Sequence, residues 1–443
     1  MTTPASRWRH AAAFGGLIIA GVLPAQTPAP APANPAPPPL KDAAGRSLRR
    51  APTGHVTNYY EEKVPPYTLP DPLVLKNGLP VRDANAWFKQ RRPELLADYA
   101  REIFGRVPPG APAVRFEVKE KDVPALDGTA RRKQVVVHFG EGPKAIAANF
   151  MVYLPAKASG PVPLVLHVSF GGDPVLPAPP PPPNAPAGAP PRRFNDMGPA
   201  AEIIARGYGY AIVRYTEMQP DRAGTKTDGI MGLALPPGAT EPAPDEWGTI
   251  AVWAWGLGRF MDYLETDPAV DAKRVALIGH SRLGKTVLWA GATDPRFALI
   301  HSSQSGEMGA ALSRRDFGET VDDMAANFGY QFAGNFQKYA GKWNEMPHDG
   351  HLLISLSAPR PVLITAADGD MWSDPRGQFL ALLAAGPVWR LLGKPDLGTM
   401  EMPPLDGPLA KGTLAYLQNK GGHVVSPLDW RTLLDFADRQ LGK

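Results

Sequence analysis

Three residue types that can share the work of acyl transfer occur in this chain in the order serine, aspartate, histidine. The serine is Ser281, in Val275-Ala-Leu-Ile-Gly-His-Ser281-Arg-Leu-Gly-Lys-Thr286, where a short apolar, β-branched run meets Gly-x-Ser and then a helix-forming stretch. That is the pattern of a nucleophile elbow: the serine sits on a tight strand-to-helix corner with its hydroxyl exposed, and the glycines leave room where a side chain would clash. The usual spacing is G-x-S-x-G, whereas here Gly284 comes one position late and Arg282 and Leu283 intervene. The competing reading is an ordinary turn with Ser281 as a helix N-cap.

An elbow serine needs a base, and in hydrolases of this chain order the histidine comes last, after the final strand. His423, in Lys420-Gly-Gly-His-Val424, is the only histidine after His351 and precedes a terminal helix expected over 427–440. A third group must orient the imidazole and stabilise its cation. Asp370, in Ile364-Thr-Ala-Ala-Asp-Gly-Asp370-Met-Trp-Ser-Asp374, stands in the right place, after a strand that follows the elbow. Asp368, Asp374 and Glu307 remain alternatives, and any of the aspartates could instead cap a helix.

Around these residues the chain alternates strands and helices. Residues 133–139 and 145–154 read as an antiparallel opening pair, and 162–168, 210–214, 274–278, 297–303 and 361–366 as later strands. A helix is expected over 198–206, and helical apolar spacing recurs at Ile250, Trp253, Ala254, Leu257, Met261 and Leu264. Antiparallel strands followed by βα units predict an α/β class fold: an α/β-hydrolase three-layer sandwich with a mostly parallel central sheet flanked by helices. Residues 51–110 are expected to wrap onto that body, with an amphipathic helix from near Pro93 carrying Leu95, Leu96, Tyr99 and Ile103, stopped by Gly105.

Composition bounds the rest. The 443 residues are 44% hydrophobic and 20% charged, with a net charge of +4. No basic run suggests a nucleic-acid partner. Arg7 and Arg9 precede an apolar stretch over 11–23, which reads as a secretory signal peptide over 1–25; an uncleaved anchor is the rival, and the stretch is short for one. Many of the 52 prolines cluster in an Ala/Pro-rich linker, placed over 26–50, and in an insertion over 174–193 at the carboxyl end of a strand. The insertion reads either as a semi-rigid lip or as an excursion without a role. Export without any cysteine means no disulfides, so the catalytic body over 51–443 must stand on its core alone. A periplasmic or secreted monomer of a Gram-negative bacterium, without stable membrane insertion, is the expectation. Neither a zinc-type histidine spacing nor a phosphate-cradling glycine loop is present, so no metal or other cofactor is expected.

Gly279-His-Ser281-Arg-Leu-Gly-Lys285 resembles the G-x-S-R-x-G-K signature of the glucuronoyl esterases, carbohydrate esterase family 15, whose second glycine is equally late. Pro66-Tyr-Thr-Leu-Pro-Asp-Pro72, Arg91-Arg-Pro-Glu94, Gly105-Arg-Val-Pro108, Gly309-Ala-Ala-Leu-Ser-Arg-Arg315, Ala358-Pro-Arg-Pro361 and Asp370-Met-Trp-Ser-Asp-Pro375 resemble bacterial members. The resemblance implies an esterase cleaving bonds between 4-O-methyl-glucuronate on xylan and lignin alcohols. It implies that Arg282 helps hold the oxyanion, that Lys285 contacts sugar hydroxyls and that Trp372 lines the uronate pocket. Fungal members carry their acid as a glutamate before Ser-Gly after the next strand, where this chain has Gln304 before Ser305-Gly306. The acid is therefore expected from the later loop, where Asp370 matches. Two other readings stay open: an esterase for other carbohydrate or small esters, and a polysaccharide-binding homologue with weakened turnover.

Overall fold

The computed structural model describes residues 40–177 and 196–442. The expected signal peptide, residues 26–39 of the expected linker and residues 178–193 of the insertion lie outside the described residues. Nine strands form one sheet: β1 (Val114–Ala125), β2 (Ala130–Phe139), β3 (Ile146–Pro155), β4 (Val162–Ser169), β5 (Gly209–Arg214), β6 (Val270–His280), β7 (Leu299–Ser303), β8 (Val362–Ala367) and β9 (Leu414–Asn419). Their order is β1-β2-β3-β5-β4-β6-β7-β8-β9. The pairs from β1 to β5 through β3 are antiparallel, and every pair from β5 through β4 to β9 is parallel.

Parallel strands buried on both faces read as continuous apolar runs, and successive side chains serve opposite cores. Leu164, Leu166, Val275 and Leu277 point into the larger core, with helices Thr249–Thr266, Arg282–Thr293 and Pro375–Leu391. Val165, Ala276 and Ile278 point into the other, with helices Ala200–Ala205 and Pro427–Gln440. This is the three-layer α/β-hydrolase sandwich. All six apolar positions expected on the helix around Trp253 are buried.

Three expectations need correction. The N-terminal helical stretch starts at Ala84 rather than near Pro93, because the Asp83 carboxylate caps it by accepting from the N–H of Ala86 at 2.8 Å. Gly105, at φ 92°, does end it. Its face packs on the body as expected: Leu95, Tyr99 and Ile103 are buried, and Arg92 donates to the carbonyl of Ala292 in the last turn of the helix that follows Ser281, at 2.7 Å. The antiparallel opening has a third strand, β1, at the edge of the sheet.

The third correction concerns the linker. Residues 40–50 belong to the folded body, with antiparallel bridges Lys41 to Ser47 and Arg50 to Val56. They carry little apolar surface and are held by backbone pairing and by Arg46 stacked over the Tyr60 ring at 4.8 Å. Among the described residues no helix is long and apolar enough to cross a membrane.

Candidate active site

Ser281 follows β6 directly and has φ 57° and ψ −127°, a conformation that costs a non-glycine residue about 1–3 kcal/mol. Its side chain makes no cap hydrogen bond to the helix it starts. Its N–H is held instead by the carbonyl of Ser303 at the end of β7, at 2.8 Å. A Cβ at Gly279 would lie 2.3 Å from the Leu283 carbonyl oxygen, and one at Gly284 would lie 2.9 Å from the Ser305 Cβ. The late glycine therefore lets the helix start pack on the loop after β7.

The imidazole of His423 comes from the loop between β9 and the last helix. Its Nδ1 meets Asp370 Oδ2 at 2.7 Å. Ser373 donates its hydroxyl to the same carboxylate oxygen at 2.5 Å. Burial pushes the Asp370 carboxyl up, but His423 and Ser373 outweigh it and hold the group below its ordinary range. The two loops are stitched together. Gly369 donates to the Gly421 carbonyl at 2.9 Å, and Asp368 accepts from the Gly421 N–H at 3.0 Å.

The alternative acids are occupied elsewhere. Asp374 caps helix Pro375–Leu391 through Gly377 and pairs with Arg315 at 2.8 Å. Glu307 is buried, accepts from Ser313 at 2.5 Å, and burial raises it well above the usual carboxylate range. Gln304, where fungal members are expected to carry their acid, donates its amide to the carbonyl of Val424, next to His423, at 2.8 Å.

Arg282 reaches Asp221 at 2.6 Å. That carboxylate also accepts from Tyr215 at 2.8 Å, Tyr330 at 2.8 Å and Gln331 at 3.0 Å. With both oxygens engaged twice, Asp221 fixes the guanidinium beside the elbow before any charge develops there. The first turn of the helix after Ser281 leaves N–H groups without intrahelical acceptors.

Lys285 is buried and pairs with Glu319 at 3.3 Å. The other Glu319 oxygen accepts from the indole N–H of Trp372 at 2.9 Å. Ser281, Arg282, Lys285, Gln304, Glu319, Trp372 and His423 all line one cavity of 240 Å³. Every residue singled out from sequence except the four acid candidates Asp370, Glu307, Asp368 and Asp374 thus faces the same space, and Asp370 stands behind His423. Asp221 and Glu319 were not legible as functional, since each lies in a loop without a motif. His280 was adjacent to one: its ring lies 4.5 Å from that of His423, and burial, aided by His423, lowers it to about 3.

A family model described as glucuronyl esterase, fungi, matches residues 242–393. A carbohydrate esterase from an unknown prokaryotic organism is 41% identical over 87% of this chain and 92% of its own length. A glucuronoyl esterase from Solibacter usitatus is 45% identical, covers 86% of this chain and 100% of its own, and superposes with a TM-score of 0.79. A CE15 glucuronoyl esterase from Teredinibacter turnerae is 34% identical over 90% of this chain and 96% of its own, with a TM-score of 0.76. The chain belongs to the glucuronoyl esterases of carbohydrate esterase family 15. In this glucuronoyl esterase the elbow and the histidine loop bracket a small cavity. Among the described residues no group of three or more His, Asp or Glu side chains could hold a metal ion.

Proposed function

We propose that this chain hydrolyses the ester between a 4-O-methyl-glucuronate side chain of glucuronoxylan and an alcohol of lignin. The observation that carries the reading is the shared cavity: an elbow serine, a carboxylate-backed histidine and a fixed guanidinium open onto the same space as Lys285, Glu319 and Trp372. At 240 Å³ the cavity lies below the roughly 300 Å³ at which drug-sized sites begin. It suits one sugar ring, with the polymer and the alcohol outside. An indole edge flanked by a lysine and a carboxylate offers both donors and acceptors to ring hydroxyls.

In the mechanism, Ser281 Oγ attacks the ester carbonyl while His423 Nε2 takes its proton. Asp370 holds Nδ1–H and stabilises the imidazolium. The tetrahedral oxyanion is held by Arg282 and a backbone N–H of the following helix, a contribution of about 3 kcal/mol per donor in comparable sites. Collapse breaks the bond to the alcohol, which leaves with the proton from His423. Water, deprotonated by His423, then attacks the glucuronoyl ester on Ser281 and releases free glucuronate. The signal-like N-terminus supports action in the periplasm or outside the cell.

The test compares methyl glucuronate, acetylated xylan and p-nitrophenyl acetate. A kcat/KM for methyl glucuronate at least about a hundredfold above the other two, worth about 2.7 kcal/mol of selective transition-state binding, is the expected result. Equal or better turnover of the acetyl esters would contradict it.

A further inference from the structure

The cavity has one lining residue that comes from the arm before Ala51. Arg49 sits with its guanidinium carbon 4.4 Å from the centre of the Trp372 ring and lines the same space as Ser281. The other two cations there are neutralised, Lys285 by Glu319 and Arg282 by Asp221. Arg49 makes no ion pair among the described residues and is exposed. An exposed guanidinium held on an indole face at a cavity wall, with its donors uncommitted to a carboxylate, is placed to meet a ligand.

The arm that delivers it is fixed to the sugar side of the cavity. The Arg49 carbonyl accepts from the N–H of Thr57 at 3.0 Å. The carbonyl of Asn58 accepts from Gly318 at 2.8 Å, and the next residue, Glu319, donates its N–H to the Trp372 carbonyl at 2.8 Å. His55 adds a contact to Asp316 at 3.0 Å. Arm, Glu319 and Trp372 therefore form one stitched unit, so the position of Arg49 is coupled to that of the indole it covers.

Building on the glucuronoyl esterase reading, we infer that Arg49 is a specificity residue that contacts the acyl sugar. Its planar fork donates to the hydroxyl oxygens of a hexuronate ester held beside Trp372. The contact is made to the sugar and not to the reacting carbonyl, so it acts on ground and transition states alike, and its loss falls on KM rather than kcat.

The experiment measures steady-state kinetics of wild type, Arg49→Ala and Arg49→Lys on benzyl glucuronate and p-nitrophenyl acetate, with melting temperatures recorded. Binding of methyl glucuronate to Ser281→Ala and to Ser281→Ala/Arg49→Ala is measured by calorimetry. The expected result is a rise in KM for benzyl glucuronate of about five- to tenfold in Arg49→Ala, a comparable loss of methyl glucuronate affinity, and only partial rescue by lysine, which lacks the fork. The KM ratio between the two substrates shifts by a similar factor. An unchanged KM for benzyl glucuronate overturns the inference, as does an equal loss on both substrates with a lower melting temperature. If wild type fails to hydrolyse benzyl glucuronate, the functional reading itself falls and takes this inference with it.

Discussion

Gln304 donates its side-chain amide to the carbonyl of Val424, so the residue beside His423 is tethered to the end of β7 at 2.8 Å. A glutamine does here what a carboxylate cannot, since an ionised carboxylate only accepts hydrogen bonds. Gln304→Glu would set an anion against that carbonyl and loosen the loop. We expect kcat on benzyl glucuronate to fall about ten- to a hundredfold with KM little changed, as misplacing a catalytic group does. Steady-state kinetics check this; a glutamate variant as active as wild type would show that the tether does not position the base.

Asp370 and Glu307 should separate cleanly. Asp370→Asn removes the charge facing the imidazolium and disturbs its tautomer, and a loss of about 10³–10⁴ in kcat is expected. Glu307 is buried, and that burial holds its carboxyl well above the usual carboxylate range. Glu307→Gln keeps the acceptor that Ser313 uses, and kcat should stay within about threefold of wild type. Turnover of benzyl glucuronate by both variants decides. Loss with the Glu307 change but not the Asp370 change would reverse the assignment.

Lys285 and Glu319 are each almost fully buried, so removing one partner strands the other's charge. Glu319→Leu is expected to destabilise by about 3–5 kcal/mol, and the double variant Lys285→Met/Glu319→Leu to regain most of it. Denaturant unfolding measures both. With the pair proposed to bind ring hydroxyls, both variants should also lose glucuronate ester hydrolysis.

Burial keeps His280 neutral, with a value of about 3 against an ordinary 6.5. Below pH 6.5 the unfolded chain binds a proton there that the native state refuses, so this group lowers stability as pH falls, until about pH 3. The slope is about 1.4 kcal/mol per pH unit. Relative to His280→Gln, wild type should therefore lose roughly 2 kcal/mol between pH 6.5 and pH 5 in denaturant unfolding. A difference that stays flat over this range would mean that His280 is protonated in the folded state.

Strands β4 to β8 and the helix around Trp253 were readable because each is an unbroken apolar run or a 3.6-residue pattern, whereas β9 and helix Pro375–Leu391 carried no expectation from sequence. β1 was not readable, because an edge strand half open to water keeps charges such as Arg115, Glu117, Lys119 and Lys121 and has no buried stripe to betray it. That Ser281, His423 and Asp370 come together was legible through chain order. Other groups at the cavity were not: Asp221 beside Arg282, and Glu319 and Arg49 on its wall, come from loops whose approach depends on backbone pairing between segments far apart in sequence. The arm at 40–50 looked like a linker for the same reason, since stacked arginines and backbone bridges leave no hydrophobic periodicity.

The central claim is that the Ser281 hydroxyl carries the acyl group, and the most direct test is the turnover of benzyl glucuronate by wild type and Ser281→Ala, with the alanine variant shown to be folded. The account predicts robust hydrolysis by wild type and a loss of at least about 10⁴-fold in the variant. Hydrolysis by the alanine variant within tenfold of wild type would contradict it.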